Sequence, residues 1–277
     1  MKRIKGLSKI TSDSFSLATY IFAIVGTVAS IAGISARGLL PKCSVPALIL
    51  LVLIGYLCLV GVIRLYKSMR TKSGVRLRVG SNDVRIMEGD LFSCNGWKVI
   101  PFNEFYDTEV DDRVISTQSL NGNFIVNYVD NLDELQEAIK ADEPTSLRAP
   151  FATRDGKLCY ELGTIKRYDG RFLLLAFSHF NNINEAHLST AEYEQCLMNL
   201  WREISRVYSG YPVVLPLLGS GITRFDDSGW SPSKQDLLRC MICTLRSSKV
   251  TLSAPITIVL TDEVIEEINL YDSKGWF

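Results

Sequence analysis

The segment Val213-Val-Leu-Pro-Leu-Leu-Gly-Ser-Gly-Ile-Thr-Arg224 joins a short hydrophobic strand to a glycine-rich loop. Glycines allow successive backbone N–H groups to converge on an anion, so such a loop suits a phosphate group. Arg224 adds a positive charge at the end of the loop. The spacing is not that of a GxxxxGKS/T loop, and Arg224 stands where the GxGxxG pattern has its third glycine. The segment therefore predicts a phosphate site at a strand end, with a purely structural turn as the alternative.

Two other polar loops also follow or adjoin predicted strands. Glu88-Gly-Asp-Leu91 places Asp90 where its carboxylate can accept a hydrogen bond from an exocyclic amine. The second loop region combines Pro101–Thr108 with Ile115–Phe124, both polar and bracketed by apolar residues. In an α/β sheet, ligands bind at the carboxyl ends of strands. We therefore expect the three loops to share one edge, although each alone is also compatible with a structural turn.

Hydrophobic patterning around these loops predicts one α/β domain over residues 73–277, with a mixed sheet covered by helices on both faces. Asp169-Gly170 predicts a hairpin turn, and Thr190 is the expected N-cap of the helix that follows it. The predicted strands cover residues 75–79, 84–90, 99–103, 160–166, 172–177, 213–217 and 256–260, and the predicted helices cover 132–141, 190–208, 234–246 and 263–270.

The amino-terminal part, residues 1–72, predicts a transmembrane hairpin. Ser14–Ala36 and Cys43–Ile63 contain no charged residue, and each is long enough to cross a bilayer as a helix. A signal peptide and a buried core helix are the alternatives. The link Arg37–Lys42 is too short for anything but a tight turn. Basic residues flank both spans, which favours cytoplasmic termini and a cytoplasmic domain.

Small residues recur along the first span, at Ala23, Gly26, Ser30 and Gly33. Such spacing permits two helices to approach closely in lipid. The face would pack either against the second span or against a second protomer.

The net charge of zero conceals an uneven distribution. Residues 1–72 contain ten Lys and Arg and one Asp, a net +9, so residues 73–277 carry −9. An acidic domain without a basic aromatic stripe is unsuited to binding nucleic acid. It must also bind an anionic ligand through a local device, since its overall field repels one.

No catalytic or metal-binding pattern emerges from the cysteines and histidines. Seven cysteines fit a reducing compartment, and Cys240-Met-Ile-Cys243 lies in a helical pattern without a second pair, so we expect buried helix cysteines. His179 and His187, the two histidines of the chain, lack a partner at a recognisable spacing and are expected in loops or at the surface.

The three loops together resemble the macrodomain, a three-layer α/β/α fold that binds ADP-ribose. The resemblance covers roughly residues 75–270. It is closest to the macrodomains of bacterial Thoeris anti-phage effectors, whose pattern is similar to Ile100-Pro-Phe-Asn-Glu-Phe-Tyr-Asp-Thr108, Ser119-Leu-Asn-Gly-Asn-Phe124 and Leu217-Leu-Gly-Ser-Gly-Ile222. The two predicted spans resemble the membrane-bound form of that effector.

The resemblance implies a role for eleven residues and an ADP-ribose derivative as ligand, with no cofactor and no metal. Asp90 would bind the adenine amine, with Thr261 nearby. The pyrophosphate would lie on Gly219, Ser220, Gly221 and Ile222, with Arg224 adding charge. Asn103, Ser119, Leu120 and Gly122 would line the phosphate and distal-ribose side. Ordinary macrodomains have an Asn-Ala-Ala-Asn stretch and a glycine triplet at these places. Their replacement argues against hydrolysis and leaves binding.

The implied function is that of an inner-membrane effector. A TIR-domain partner would make the signal from NAD, histidine-conjugated ADP-ribose for the membrane-bound branch. Binding would promote assembly of protomers, membrane disruption and growth arrest. The alternatives are a membrane-tethered ADP-ribosyl hydrolase and a passive anchored binding module.

Overall fold

The computed structural model of the chain describes residues 3–31, 38, 44–72, 74–112, 114–141, 152–154, 156–181, 184–226 and 231–270. The chain divides into two compact units. The first contains the two long amino-terminal helices, and the second runs from Val75 to Ile268.

The first unit consists of helices α1 (Arg3–Ile31) and α2 (Val45–Lys72). Their apolar parts, Ser14–Ile31 and Val45–Leu65, are long and apolar enough to cross a membrane, by length and composition. The predicted link Arg37–Lys42 lies outside the described residues except for Gly38.

The two helices pack through an aromatic contact. Tyr56 of α2 places its hydroxyl 2.8 Å from the hydroxyl of Thr19, and its ring contacts Phe15 and Phe22 of α1. The small-residue positions Ala23, Gly26 and Ser30 are exposed, and a Cβ at Gly26 would meet nothing within 4 Å. The contact between the two helices is thus made by Tyr56 and not by the small-residue face. The fourth residue of that face, Gly33, lies outside the described residues.

The second unit is built on a nine-stranded mixed sheet with the order β1-β2-β11-β9-β3-β7-β8-β10, with β6 pairing on β7. The five central strands β2, β11, β9, β3 and β7 are parallel, so their carboxyl ends share one edge. The strands are β1 Val75–Val79, β2 Asn82–Glu88, β3 Trp97–Asn103, β6 Ile165–Tyr168, β7 Phe172–Phe180, β8 Ala186–Leu188, β9 Val213–Pro216, β10 Arg224–Phe225 and β11 Ile256–Leu260; β4 Ala152–Arg154 and β5 Lys157–Cys159 form a separate hairpin.

Helices cover both faces of this sheet, as expected. Helices α3 (Leu120–Tyr128) and α4 (Leu132–Ala141) pack on β3 and β6, where Phe124 and Leu135 are fully buried. Helices α5 (Thr190–Val207) and α6 (Lys234–Ser248) pack on each other, with Trp201 Nε1 donating to Thr244 Oγ1 at 3.1 Å inside the contact. The short helix α7 (Asp262–Glu267) follows β11.

Several predicted boundaries require correction. The N-cap of α5 is Ser189 and not Thr190, because Ser189 and Glu192 form a reciprocal capping box. The predicted strand 160–166 begins only at Ile165, since the backbone turns at Gly163 with φ of 94°. The predicted helix 263–270 ends at Glu267. The hairpin at Asp169-Gly170 is confirmed, with positive φ at both residues, as a type I′ turn requires.

Part of the loop predicted over Ile115–Phe124 is helical. Helix α3 begins at Leu120, after Ser119, whose Oγ accepts a hydrogen bond from Gly122 N at 2.9 Å. Ser-x-x before an apolar run is a helix start signal, but Asn and Gly in the first turn lower the helix propensity. Local sequence therefore favoured a loop.

Candidate functional site

Bridge pairing does not extend to the carboxyl halves of β3 and β9 in the described chain, and we take the space between these halves as the candidate crevice. Bridge pairing between these two strands is confined to Trp97–Val213 and Lys98–Val214 within the described chain, although β3 continues to Asn103 and β9 to Pro216. Their carboxyl halves are therefore not joined by main-chain hydrogen bonds. Crevices outside the carboxyl ends of parallel strands are where α/β sheets bind ligands.

The glycine-rich loop begins on one side of this crevice. Tyr193 is fully buried in α5 and its hydroxyl donates to Leu218 O at 3.0 Å, which holds the start of the loop. Gly219 then adopts φ of 80°, and a Cβ there would contact Phe225 and Leu237 at 3.3 and 3.4 Å. Glycine is needed at this position for both reasons.

Beyond this turn the loop presents open backbone. Ser220 N donates to Leu217 O at 3.3 Å, so that N–H group is already used. Within the described part of the chain, the N–H groups of Gly221 and Ile222 have no hydrogen-bond partner, and both residues are exposed. Gly219 N–H likewise has no hydrogen-bond partner among the described residues, so three of the four residues predicted to bind a pyrophosphate, Gly219, Gly221 and Ile222, retain open donors.

Arg224 lies at the far end of the loop, in β10. Its Nη2 is 2.6 Å from Glu185 Oε1, and the side chain is 67% exposed. The guanidinium charge is therefore shared with a carboxylate. The pairing of β10 with β8 means that the loop from β9 must cross the ends of β3 and β7, which lie between them in the sheet.

The amino terminus of α3 flanks the crevice from the β3 side. Ser119 caps the helix, and its Oγ also donates to Ser116 O at 2.7 Å. Gly122 packs so closely that a Cβ would lie 2.1 Å from Ser116 O. The N–H group of Gly122 donates to this cap. The N–H groups of Leu120 and Asn121, also in the first turn, have no hydrogen-bond partner among the described residues. Helix amino termini attract anions.

Asn121 is a residue that the sequence analysis did not select. Its side chain is 8% exposed, and its Oδ1 is buried without a hydrogen-bond partner among the described residues. An unpaired buried acceptor costs about 1–3 kcal/mol. The signal in the sequence is slight, because Asn121 lies inside a Ser-Leu-Asn-Gly run in which every polar residue looks like a turn former.

Asp90 and Thr261 lie next to each other in the fold. Gly89 N donates to Leu260 O at 3.0 Å, which joins the residues after β2 to the end of β11. The Asp90 carboxylate closes its own turn, accepting from Phe92 N at 3.1 Å and Ser93 Oγ at 2.7 Å. Both Asp90 and Thr261 are exposed, so a ligand can reach them.

Asn103 is almost fully buried and is used by its own loop. Its Oδ1 accepts from the N–H groups of Phe105 and Asp107, each at 3.1 Å, and its Nδ2 donates to Asp107 Oδ2 at 2.8 Å. Asp107 in turn pairs with Lys157 of β5 at 2.5 Å. These hydrogen bonds show that the Asn103 side chain stabilises the conformation of the loop after β3. Its contact with a ligand stays a prediction.

A cluster of titratable side chains adjoins Asn103 and was missed from sequence. Glu104 is 1% exposed, and its Oε2 lies 2.5 Å from His179 Nδ1 and 3.3 Å from Cys159 Sγ. On the other side of the ring, His179 Nε2 is 3.5 Å from Glu192 Oε1. His179 therefore lies between one buried carboxylate and one partly exposed carboxylate.

The second histidine belongs to the same cluster. His187 pairs across the β7–β8 ladder with His179, their ring centroids are 6.1 Å apart, and its Nδ1 is 2.6 Å from Asp226 Oδ2. The two histidines were expected in loops or at the surface. Both instead lie in strands, where they are partly exposed and next to carboxylates. The partners are 39 and 75 residues away in sequence, so spacing could not reveal them.

The hydrogen bond from Ser189 N to the Glu192 carboxylate is the main cause that lowers the pKa of Glu192, and the two histidines lower it further. Glu192 therefore stays ionised beside His179. Cys240 and Cys243 are free cysteines on α6, half-buried and not fully buried as expected, and burial raises the pKa of Cys240 to about 12. Among the described residues, no group of three or more His, Cys, Asp or Glu side chains is arranged to hold a metal ion.

A separate depression of about 560 Å³ lies at the other end of β3. Trp97, Tyr168 and Arg206 contribute to its lining. It contains none of the predicted site residues, and it is open to solvent.

Two comparisons with known proteins point to the same family. The family model described as "Thoeris protein ThsA, Macro domain" matches residues 84–261. A Thoeris protein ThsA from Bacillus amyloliquefaciens (strain Y2) is 37% identical over 238 residues, which are 82% of this chain and 78% of the relative.

Solved structures that align with the chain include macrodomains of Oceanobacillus iheyensis. A mutant with ADPR aligns with a TM-score of 0.45 at 13% identity, over 73% of this chain and 96% of that one. The same macrodomain with ADP gives 0.44 at 14% identity, over 73% and 94%.

Proposed function

Because the chain belongs to the family of Thoeris ThsA proteins with a macrodomain, we propose that it acts in anti-phage defence and binds a ligand of the ADP-ribose class. The observation that carries this proposal is that two groups of backbone N–H donors without hydrogen-bond partners lie at the carboxyl edge of the sheet. Gly221 and Ile222 supply one set and the first turn of α3 supplies the other. Two such sets beside one crevice suit a diphosphate.

The ligand would extend along this edge with its adenine toward β2 and β11. Asp90 is exposed there and its carboxylate can accept a hydrogen bond from the exocyclic amine. The pyrophosphate would lie on the glycine-rich loop. The distal ribose would then reach the end of β3, next to Asn103 and the Glu104–His179 pair. Backbone donors explain how a domain with an overall negative charge binds an anion.

The chemistry of the distal end supports a conjugated ligand. Glu104, Glu192 and Asp226 place three carboxylates around the two histidines. Glu192 and Asp226 are partly exposed, so their carboxylates can accept hydrogen bonds from a donor group attached to the distal ribose, such as an imidazole N–H. We therefore propose histidine-conjugated ADP-ribose as the ligand, made from NAD by a TIR-domain partner.

The two apolar helices are the part of the chain that we propose to disrupt the membrane. They would anchor the protein in the bacterial inner membrane with both termini and the domain in the cytoplasm. Ligand binding would favour an assembly of protomers, rearrange the hairpins, disrupt the membrane and arrest growth. This requires the ligand to bind the assembled state more tightly than the resting state. The exposed positions Ala23, Gly26 and Ser30 are compatible with a contact between protomers.

The test uses the full chain reconstituted in lipid vesicles. Calorimetry should detect binding of ADP-ribose and tighter binding of its histidine conjugate. Leakage of a trapped dye should follow addition of the conjugate to the same vesicles. Binding without leakage would instead support a passive anchored module, and absence of binding to either compound would refute the ligand class.

A hydrolase is the second candidate, favoured by the contact of His179 with the buried Glu104 beside Asn103. An imidazole held by a carboxylate is a suitable general base. If the protein turns over an ADP-ribosylated peptide, His179→Gln should abolish turnover and leave the affinity for ADP-ribose within about threefold. Absence of turnover by the unaltered protein would exclude this function for that substrate.

A further inference from the structure

The outer face of strands β1 and β2 carries three exposed arginines. Val75, Leu77 and Val79 of β1 are buried on one face, so Arg76 and Arg78 project from the other. The same alternation in β2 places Arg85 on that outer face. These three residues form a basic surface, called the arginine face below, on a domain whose overall charge is negative.

The register of the two strands places two of these charges against each other. Arg76 is the cross-strand partner of Arg85. Residues directly opposite in an antiparallel pair have Cβ atoms about 4.5–5.5 Å apart, and like charges there are destabilising. Arg78 is opposite Asp83, the acidic residue of this face, and its Nη1 lies 3.5 Å from Asp83 Oδ1. Among the residues that the structure describes, neither Arg76 nor Arg85 forms an ion pair.

The position of β1 in the chain indicates which kind of anion would neutralise the charges of Arg76 and Arg85. β1 begins at Val75, three residues after the end of α2 at Lys72, and the end of α2 carries Arg64, Lys67, Arg70 and Lys72. The arginine face therefore follows directly on a basic segment at the end of an apolar helix. Anionic phospholipids attract such basic residues, and two adjacent guanidinium groups match the oxygens of one phosphate.

We propose that the arginine face binds the phosphodiester of anionic phospholipid headgroups, with Arg76 and Arg85 holding one phosphate between them. This proposal rests on the membrane anchoring proposed above. Free phosphate is a weaker competitor, because a bilayer presents many headgroups next to a tethered domain at a high effective concentration. The face would fix which side of the acidic domain lies against the leaflet.

The test measures how fast each arginine reacts with phenylglyoxal in the full chain, by mass spectrometry of the resulting peptides. The protein is held in nanodiscs of phosphatidylcholine alone or with added phosphatidylglycerol. Each arginine contributes a factor of roughly five to lipid binding, so Arg76 and Arg85 should react with phenylglyoxal about 25-fold more slowly when anionic lipid is present. Arg202 of α5 and Arg239 of α6 are exposed and serve as internal references whose rates should not change. High salt should abolish the difference.

An Arg85→Gln variant sharpens the test, since it removes one of the two charges and leaves Arg76 measurable. The protection of Arg76 should then fall to roughly fivefold. A matched Arg239→Gln variant should leave the protection of Arg76 unchanged. Equal rates in the two lipids, or equal slowing at the reference arginines, would overturn the proposal.

Two controls separate this proposal from the proposed function. Flotation shows whether the chain is inserted in the bilayer, and calorimetry in the same nanodiscs shows whether it binds ADP-ribose. A chain that is inserted and binds ligand but shows no lipid dependence refutes the arginine face alone. A chain that does not insert refutes the membrane anchoring and this proposal together.

Discussion

Gly219 and Gly221 lie two residues apart in the same loop, and their surroundings predict opposite consequences of one substitution. A Cβ at Gly221 would meet nothing within 4 Å, and its φ is not positive. Valine there should therefore change the free energy of unfolding by less than about 1 kcal/mol, since the main effect is on the entropy of the unfolded chain. The added side chain would instead occupy the space in front of the open N–H groups.

The expected loss of affinity follows from those donors. A hydrogen bond to a charged group contributes about 1.5–3 kcal/mol, and Gly221→Val should block the donors of Gly221 and Ile222 together. The loss is then about 3–6 kcal/mol, or roughly 10²–10⁴-fold in the Kd for ADP-ribose. Calorimetry measures this loss, and a thermal scan should show an unfolding midpoint within about 3 °C of the unaltered protein.

Gly219→Val is the matched comparison. Its φ of 80° is strained for valine, and its Cβ would press on Phe225, Leu237 and Tyr193 at 3.3–3.5 Å. The strain and the crowding together should lower the stability by about 2–5 kcal/mol. Unchanged binding by Gly221→Val would show that the phosphate lies elsewhere. A large loss of stability in that variant would show that Gly221 is not in open space.

Three further predictions concern the residues that hold the site in place. Gly122→Ala should lower the free energy of unfolding by about 2–4 kcal/mol and weaken ligand binding, because its Cβ would lie 2.1 Å from Ser116 O and displace the first turn of α3. Chemical denaturation measures the first effect and calorimetry the second. Ser189→Ala should cost about 0.5–2 kcal/mol at pH 7 through loss of the capping box, and the difference between the two proteins should shrink as the pH falls below the ordinary pKa of about 4.5, because protonated Glu192 no longer completes the box. With a pKa of about 12, Cys240 should react with iodoacetamide at pH 8 about a thousandfold more slowly than an unperturbed thiol of pKa 9.0; peptide mapping that finds equal labelling of Cys240 in the native and urea-unfolded protein would contradict this.

The central sheet and the larger helices could be predicted because their patterns are local. Short runs rich in β-branched and apolar residues, such as Ile256–Leu260, produce buried parallel strands. The periodic apolar face of α5 produces a helix that packs on the sheet. Helix α3 could not be predicted from its sequence. Asn and Gly in its first turn are typical of loops, and tertiary contacts are needed to favour the helix. The strands β8 and β10 are two or three residues long and carry no periodicity to detect.

The candidate site was predicted in part. Asp90 and Thr261 follow β2 and β11, and Asn103 is the last residue of β3. The carboxyl ends of these three strands share one edge, as the order of the motifs indicated. Their contact with a ligand stays a prediction. The Glu104–His179 pair and the buried Oδ1 of Asn121 depend on contacts between distant segments and on burial, neither of which spacing reports.

The two histidines have a practical consequence for spectroscopy. They are all the histidines of the chain, and both lie in one corner of the candidate site. Every imidazole resonance in an NMR spectrum of the untagged protein therefore comes from that corner, without selective labelling or substitution. A titration with ADP-ribose or its histidine conjugate would report directly on the end of the site where the two ligands differ.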